Sequence, residues 1–364
     1  MQVFHFILDH RVGGPHVYVQ TMRDALGPAL KSILVTTGRG AVTDMPLTNL
    51  RHRLKLLYPF EIVCNVMRLC WQFRRPSVRS GVIFDVHGAA NIAPIIAARL
   101  LKIPVVWHFH ETVAAFSFLV KFGKAALAGI PHRYVVVAEK SAQVFAIESP
   151  HLIPGAVDIA FWRPDERNAE SRMRSTDTSV RLIAIGNLNP LKGMDILLAA
   201  LGRLSMPWEL VIVGAELSTF SQYAASLRAQ ASAVATTGNR VDFVGWQTSD
   251  AVRALIASAD VFVLPSRSEA CPLALLEAMA MESACVASAV GDVALILGGE
   301  KNGLTVPPES PVALAAALER IVSLGEHGRR EMGRCARERI VAGYSQTEMA
   351  KRHLEIYLEL AKDA

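Results

Sequence analysis

Short apolar runs alternate with longer amphipathic stretches along the first half of the chain. The runs are rich in β-branched and aromatic residues, which predicts buried strands over residues 3–8, 32–36, 81–86, 105–108 and 134–137. The stretches between them predict helices, the first over residues 16–26. This β-α-β order indicates a parallel sheet, and ligands of such sheets collect at the carboxyl ends of the strands.

The second half of the chain follows the same order. Strands are predicted over residues 181–185, 210–213, 241–246 and 261–264. The last run stops at Pro265, and a helix is expected to begin near Pro272 because proline suits the first helical turn. Apolar side chains at spacings of three and four give this helix a buried face, formed by Leu273, Leu276, Met279 and Ala280.

Two carboxylates accompany this strand, turn and helix. Glu269 lies in the turn, and Glu277 lies inside the helix with seven residues between them. An ionised carboxylate only accepts hydrogen bonds, so it suits a pair of vicinal hydroxyls, while a helix start favours an anion. Outside this context, two solvated glutamates beside a core helix would give the same spacing. The setting therefore decides how the pair is interpreted.

The arrangement resembles the E-x7-E element of retaining GT-B glycosyltransferases, and in particular glycosyltransferase family 4, the glycosyl transferases group 1. The resemblance implies that Glu269 orients the donor sugar and that Glu277 holds the ribose of the nucleotide. It also implies that the backbone amides of Ala270, Cys271 and Leu273 serve the sugar or phosphate, although Ala270 and Cys271 stand where the family commonly has Gly-Phe.

The turn over residues 186–193 carries the next part of the resemblance. Lys192 matches a lysine that, in the family, neutralises the departing diphosphate. Asn187 stands where the family usually has arginine, and its amide would contact the donor without supplying a charge. A preorganised donor or cation for a developing anion is worth about 3 kcal/mol. This substitution is the main argument for a protein with impaired catalysis.

In the first half, candidate residues follow three strands. Gly13 and Gly14 match the family's glycine loop, where backbone could approach a phosphate. His110 matches a family histidine near the transferred sugar, whereas His87 and His108 would equally suit hydrogen-bonded strand ends. No metal site is expected, because no D-x-D pair and no carboxylate or cysteine at ligand spacing is present.

The implied architecture is an α/β protein of the GT-B fold, with two Rossmann-like β/α/β domains facing across a deep cleft. Residues 1–155 would bind the acceptor, and residues 156–345 would bind the nucleotide-sugar. The boundary is predicted by residues 152–158, which resemble the family's interdomain linker. The final segment, residues 346–364, would cross back to the N-terminal domain as a helix.

Composition favours a globular protein of two domains. The 364 residues are 51% hydrophobic and 20% charged, and a chain of this length exceeds what one core usually supports. The longest uncharged stretch is too short and polar to span a bilayer, and no signal peptide is predicted. The five cysteines form no C-x-x-C pair, which favours a reducing compartment and a cytoplasmic location.

Positive charge concentrates in the first half. Residues 1–150 hold 17 Lys/Arg and 8 Asp/Glu, a balance of +9, which leaves 21 and 25 and a balance of −4 for the rest. Basic and apolar residues alternate over residues 51–79, a pattern that suits an anionic membrane such as the inner face of the plasma membrane. A helix with a solvated basic face gives the same pattern. No nucleic-acid-binding motif is present, so no such partner is expected.

The expected activity is transfer of a hexose from a UDP- or GDP-sugar to a glycan or lipid-linked acceptor, without a cofactor and with retention of configuration, in bacterial surface polysaccharide biosynthesis. Base and sugar preference would depend on contacts around Gly245 and around residues 270–273. A GT-B protein that binds nucleotide-sugar or glycan without turnover is the alternative that Asn187 favours. A nucleotide-sugar epimerase shares the architecture but lacks support from the Lys192 loop.

Overall fold

The computed structural model describes residues 1–8, 14–37, 44–47, 58–112, 116–164, 179–235 and 238–363. The chain divides into two compact units. The first unit comprises Met1–Ala156 together with Gln346–Ala364, and the second comprises Val157–Ser345. The division after residue 156 lies one residue from the boundary expected after residue 155.

The first unit is built on a parallel sheet of seven strands. Their order is β3-β2-β1-β4-β5-β6-β7, so the direction of winding reverses between β1 and β4. All five strands expected from the sequence are present. The strands are Gln2–Ile7 (β1), Lys31–Thr37 (β2), Met45–Leu47 (β3), Val82–His87 (β4), Val105–Phe109 (β5), His132–Val136 (β6) and His151–Leu152 (β7).

Helices cover both faces of this sheet. The described ones before the second unit are Gly14–Leu26 (α1), Tyr58–Gln72 (α2), Pro76–Arg79 (α3), Ile92–Leu101 (α4), Ser117–Leu127 (α5) and Glu139–Phe145 (α6). On one face, α4 packs between α2 and α5. Aromatic rings fill the core there, with Phe73 directly after α2 against Phe4 and Phe84 of the sheet.

The second unit is built on a parallel sheet of six strands in the order β10-β9-β8-β11-β12-β13. Its winding reverses between β8 and β11. The strands are Val180–Ile185 (β8), Trp208–Val213 (β9), Arg240–Gly245 (β10), Val261–Leu264 (β11), Ala284–Ser288 (β12) and Leu304–Val306 (β13). The first four were expected. The last two are short and contain small or polar residues, so their periodicity is weak.

The helices of the second unit follow its strands, and one further helix ends the chain. Those of the unit are Met194–Leu201 (α7), Ser221–Val234 (α8), Ser249–Ser258 (α9), Leu273–Ala280 (α10), Val293–Leu297 (α11), Pro311–Ser323 (α12) and Gly325–Gly343 (α13). The final helix, Gln346–Asp363 (α14), belongs to the first unit and packs against α1. No helix within the described ranges is both long and apolar enough to cross a bilayer.

Local contacts fix where two helices of the second half begin. The helix α12 begins at Pro311, because the Ser310 side chain accepts a hydrogen bond from the Ala313 N–H and caps it. The closing helix α14 begins at Gln346. Just before it, the Tyr344 carbonyl accepts a backbone hydrogen bond from the Val157 N–H, which ties the two ends of the second unit together.

Candidate functional site

The candidate donor site lies at the reversal point of the second sheet. Because β8 and β11 are adjacent and parallel, the turns that follow them meet at the same sheet edge. One turn ends in a short 3-10 helix, Pro190–Lys192, and the other precedes α10. The crevice at such a reversal point is where open α/β sheets bind their ligands.

Lys192 and Glu269 pair across these two turns. The Lys192 Nζ lies 2.7 Å from the Glu269 Oε1, which also accepts a hydrogen bond of 2.7 Å from the Ser266 hydroxyl. The Glu269 side chain is 10% exposed and the Lys192 side chain 29% exposed. The pair is therefore open enough to meet a ligand, and the ammonium has further N–H groups to offer.

Arg267 fastens the same two turns together. Its guanidinium donates two hydrogen bonds to the Asp195 carboxylate, at 2.9 and 2.7 Å, and one of 2.9 Å to Glu309. It also donates to the Pro190 carbonyl at 2.7 Å. Because both carboxylates neutralise it, Arg267 acts as a fixed clamp that holds the Lys192 loop in place.

Gly193 permits the two turns to approach closely. Its φ of +63° lies in the left-handed region, and a Cβ there would overlap the Pro265 carbonyl oxygen. An alanine would therefore be strained in its backbone and would also push the two turns apart.

We expect Gly193→Ala to destabilise the protein by about 2–4 kcal/mol, since the strain of a positive φ adds to a backbone overlap. For a unit of this size, that loss corresponds to a fall in melting temperature of about 5–15 °C. Thermal unfolding followed by circular dichroism measures it. Gly238→Ala is the control, because Gly238 also has a positive φ but open space around a Cβ. Equal losses in the two variants would show that the close approach is unimportant.

Glu277 lies in α10, two turns after Glu269. Burial raises the pKa of its carboxyl to about 7. No residue within the described ranges gives the Glu277 carboxyl a hydrogen bond or a counter-charge. A desolvated carboxylate without a partner in the protein is costly, so its acceptor capacity is available for a ligand.

The start of α10 adds donors beside these carboxylates. Pro272 precedes the first helical residue, and its carbonyl accepts the N–H groups of Leu275 and Leu276. The N–H groups of Leu273 and Ala274 have no carbonyl within the helix to bind, as in any first helical turn. They suit an anionic or hydroxyl-bearing ligand, as predicted for Leu273 from the sequence.

Asn187 has a structural task in the turn after β8. Its side-chain oxygen accepts a hydrogen bond of 3.1 Å from the Ala215 N–H, which fixes the turn after β9. The residue is exposed at the carboxyl edge of the sheet. Arg267 also lies beside this loop, and its charge is paired with Asp195 and Glu309.

Gly245 ends β10 at the same edge, with a φ of +71°. The next residue, Trp246, is 67% exposed, which is unusual for an indole. An exposed aromatic face at the ligand-binding edge of such a sheet suits the stacking of a nucleotide base.

A buried polar cluster occupies the first unit, and Asp85 on β4 is its centre. Its carboxylate lies 2.6 Å from the His5 Nδ1, 3.0 Å from the His87 Nε2, 2.6 Å from the His108 Nε2 and 2.9 Å from the Tyr357 hydroxyl. Burial opposes its charge, but the neighbouring imidazoles and these hydrogen bonds hold the pKa of the carboxyl well below its usual range. Asp85 is therefore ionised and accepts four hydrogen bonds.

The negative charge of Asp85 determines which ring nitrogen of His110 carries a proton. Because Asp85 only accepts, the His87 Nε2 carries a proton and the His87 Nδ1 is a lone pair. The His110 Nε2, 3.0 Å from that Nδ1, must then be the donor. Burial, together with His87 and His108, holds the pKa of His110 well below its usual range. Neutral His110 therefore has a lone pair at its Nδ1, which can accept a hydrogen bond.

Glu111 holds the backbone beside His110. Its two carboxylate oxygens accept from the Ala89 N–H at 3.1 and 3.2 Å, and one of them accepts from the His110 N–H at 3.1 Å. Burial raises the pKa of this carboxyl despite the hydrogen bonds. Gly88 has a φ of +94°, which brings its backbone close to the carboxylate. The ends of β4 and β5 are thus joined through Glu111.

The histidines also meet the distance criterion for a metal. Nitrogens of His87, His108 and His110 lie within 4.8 Å of one another, as do ligand atoms of His5, Asp85 and His87. However, Asp85 and the His87–His110 hydrogen bond already occupy most of these atoms. The rings of His87 and His108 are also stacked at 25°, so their in-plane lone pairs do not converge. The arrangement fits a hydrogen-bonded network better than a metal centre.

We expect nitrogen-15 NMR at pH 6.5 to show His110 as the neutral tautomer protonated at Nε2. In Asp85→Asn, the new amide group must donate, so at least one facing imidazole should change tautomer. Tyr357→Phe removes one of the four donors and should leave the tautomer of His110 unchanged, while lowering stability by about 1–2 kcal/mol. A cationic His110, or one protonated at Nδ1 in the wild type, would contradict this assignment.

The structure brings together part of the predicted set. Lys192, Glu269 and the start of α10 share one sheet edge, and Asn187 and Gly245 lie along it. His110 lies in the first unit, and Gly14 begins α1. Gly13 lies outside the described residues. The sequence analysis missed Asp85, Ser266, Arg267 and Tyr357. Asp85 had a signal as a charged residue inside an apolar strand, and Ser266 and Arg267 had one as polar residues beside the E-x7-E turn, whereas Tyr357 had none.

Known proteins resemble part of the chain in sequence and the whole chain in fold. Residues 179–323 match the family model for Glycosyl transferases group 1. D-inositol 3-phosphate glycosyltransferase of Segniliparus rotundus is 28% identical over 202 residues, which are 53% of this chain and 45% of the relative. The chain spans about half the length of the curated relatives it matches.

Solved structures resemble the whole chain. Sucrose-phosphate synthase from Thermosynechococcus elongatus has a TM-score of 0.82 at 20% identity, over 100% of both chains. HepE of Anabaena, solved with UDP-glucose, has a TM-score of 0.78 at 16% identity, over 99% of this chain and 100% of that one. At these identities the likeness shows the fold, which is GT-B. The chain thus has the GT-B fold, and its residues 179–323 are similar to the Glycosyl transferases group 1.

Proposed function

We propose that the protein transfers a hexose from a UDP- or GDP-sugar to a hydroxyl of a glycan or lipid-linked acceptor, with retention of configuration. The observation that carries this proposal is the set formed by Lys192, Glu269 and Glu277 at the reversal point of the second sheet. It combines one cation for a diphosphate with two carboxylates for hydroxyl groups. The solved complex of HepE with UDP-glucose supports the choice of donor class.

In this proposal, each residue has one task. The bond between the sugar and the β-phosphate breaks, and Lys192 stabilises the charge that develops on the departing diphosphate. Glu269 orients the sugar hydroxyls, and Glu277 accepts hydrogen bonds from the ribose. The family resemblance implies a role for His110 towards the transferred sugar, and the lone pair of its neutral ring can accept from a hydroxyl group. The acceptor oxygen bonds to the anomeric carbon, and its proton leaves with the phosphate.

We propose that the reaction needs no metal ion. Lys192 and the N–H groups of α10 supply the positive potential that a divalent ion would otherwise provide. The Glu269 carboxylate is paired with Lys192 and with Ser266, which leaves it poorly arranged as a metal ligand. For the wider role, we propose the assembly of bacterial surface polysaccharide.

A second candidate function is binding of a nucleotide-sugar without turnover. It is favoured by Asn187, because this amide binds the Ala215 N–H where the family usually has a cation. The two functions differ in one measurable property. A binder would have donor affinity and no release of the nucleoside diphosphate with any acceptor.

The experiment is a panel of UDP-, GDP- and ADP-sugars incubated with glycan and lipid-linked acceptors, with release of the diphosphate as the readout. We expect release with one donor class, in chelator as well as in magnesium. Asn187→Arg serves as the diagnostic variant, since a restored cation would raise a weak activity about tenfold or more. Donor binding with no release in either protein would favour the second candidate.

A further inference from the structure

Three helices of the first unit form one layer with an unusual outer surface. The helix α4 packs between α2 and α5 on one face of the sheet, so the outer sides of all three helices point away from it. Large apolar side chains stand exposed there. We call this set the apolar surface, and it comprises Phe60, Val63, Met67 and Trp71 of α2, Leu100 of α4, and Phe118 and Phe122 of α5.

The spacing shows that the exposure is organised. In α2 the four residues follow one another at intervals of three and four, which places them on one helical stripe. The opposite side of α2 buries Leu69 against the core. Trp71 is 68% exposed and Phe118 is 70% exposed. Single exposed apolar residues are ordinary, but seven in one layer indicate a binding surface.

The charges of this layer have one sign. Residues 58–138 contain nine Lys/Arg and three Asp/Glu, a balance of +6. The three carboxylates are Glu61 and Asp85, which are buried, and Glu111, which holds backbone N–H groups. Every fully exposed charge of this segment is therefore positive. Those on or beside the three helices are Arg68, Arg74, Arg75, Arg99, Lys102 and Lys121.

We propose that this layer docks on a bilayer containing anionic lipid. Apolar side chains enter the boundary between headgroups and acyl chains, while the surrounding lysines and arginines contact anionic headgroups. Aliphatic residues such as Val63, Met67 and Leu100 favour hydrocarbon over the stacked bases of a nucleic acid, which needs aromatic faces. The Asp85 side chain alternates along β4 with Phe84 and Val86, which pack into the core beneath this layer, so the polar cluster lies on the opposite face of the sheet.

The test is co-sedimentation of the full chain with vesicles, without donor or acceptor, so its outcome does not depend on the proposed transferase activity. We expect the protein to partition into phosphatidylcholine vesicles that contain about 30% phosphatidylglycerol as the anionic lipid. Its partition into pure phosphatidylcholine vesicles should be at least tenfold lower. Raising the salt concentration should weaken the partition. Each of Arg68→Glu and Arg75→Glu should lower it about fivefold or more.

Apolar insertion has its own variants and a matched control. Trp71→Ser with Phe118→Ser should lower the partition about tenfold or more, since two large apolar side chains are lost. Val312→Ser, at a similarly exposed position of α12 in the second unit, should leave it unchanged. Because all these residues are exposed, the melting temperature should stay within about 2 °C of the wild type.

Tryptophan fluorescence gives a second readout. Trp107, Trp162 and Trp208 are buried, so in Trp246→Phe the remaining exposed indole is Trp71. Its emission should shift to shorter wavelength and be quenched by brominated lipid. Equal partition into neutral vesicles, no partition, or full partition of the Trp71→Ser, Phe118→Ser variant would overturn the proposal. Binding of an oligonucleotide in place of vesicles would overturn it in favour of a polyanion.

Discussion

Lys192→Met is expected to lower the turnover number of sugar transfer by about 10²–10³-fold. The Lys192 ammonium lies at the point where the strand order of the second sheet reverses. A single preorganised donor to a developing anion contributes about 3–4 kcal/mol. The affinity for the donor should fall much less, because the charge on the diphosphate grows as the sugar leaves. Steady-state kinetics with the donor found in the substrate panel measures both quantities.

The control for this prediction is Lys301→Met, which removes an exposed lysine from the same unit. It should leave both kinetic constants within twofold of the wild type. Lys192→Met also leaves Glu269 with Ser266 as its partner among these side chains, so a loss of stability of about 1–2 kcal/mol is expected. If Lys192→Met raised the KM and left the turnover number unchanged, the lysine would bind the donor without assisting departure of the diphosphate.

Glu277→Gln is expected to weaken nucleotide binding and to stabilise the protein at the same time. Binding should weaken about 10–100-fold, because an amide replaces a carboxylate that accepts from two ribose hydroxyls. The protein should gain about 1–3 kcal/mol of stability at pH 8, because the variant no longer buries an unpaired charge. Calorimetric titration and thermal unfolding measure the two effects.

The direction of the Glu277 pKa shift determines how the stability of the protein changes with pH. The pKa of Glu277 is about 7 in the folded protein, above the ordinary value for a glutamate. Its contribution to stability is therefore fully present below pH 4.5 and is lost as the pH rises through about 7. The gain in Glu277→Gln should shrink towards zero at pH 5. Conversely, nucleotide affinity of the wild type should rise about tenfold from pH 6 to pH 8, beyond any change seen in the variant.

Glu319→Gln is the matched control, since Glu319 is an exposed glutamate of the same unit. It should change neither stability nor binding. A Glu277→Gln protein that is less stable at pH 8 and binds nucleotide normally would assign Glu277 a structural role.

The sequence predicted the strand, turn and helix that carry Glu269 and Glu277, because these parts are local. Glu269, α10 and Glu277 lie within one strand, turn and helix, whose signals are an apolar run, a proline and a helical spacing. Lys192 is distant in sequence, but it follows a strand that the alternating pattern predicts. The parallel sheet then brings the two turns to one edge, as its topology requires.

The Asp85 cluster could not be predicted, because its members come from four separate elements. His5, Asp85, His87 and His108 lie on three strands, and Tyr357 comes from α14, 272 residues after Asp85. A histidine at a strand end carries no signal of which carboxylate it will meet. A buried aspartate within an apolar strand was the one available indication, since such a charge needs several partners.

The clamp formed by Arg267 shows a second limit. Its position inside the turn suggests a cation for the donor, yet Asp195 and Glu309 already neutralise it. Only the three-dimensional arrangement separates this structural arginine from Lys192. The same holds for Asn187. Its side-chain oxygen accepts a hydrogen bond from the Ala215 N–H, and this structural role could not be read from the absence of the family's arginine.

The central claim is that the second unit binds a nucleoside diphosphate-sugar through Lys192, Glu269 and Glu277. Isothermal titration of UDP, GDP, ADP and their sugar conjugates, in chelator and again in magnesium, tests it most directly. We predict binding of one nucleotide class with one site per chain, unchanged by the chelator and lost in Glu277→Ala. Failure of every nucleotide to bind, or equal binding in Glu277→Ala, would contradict the account.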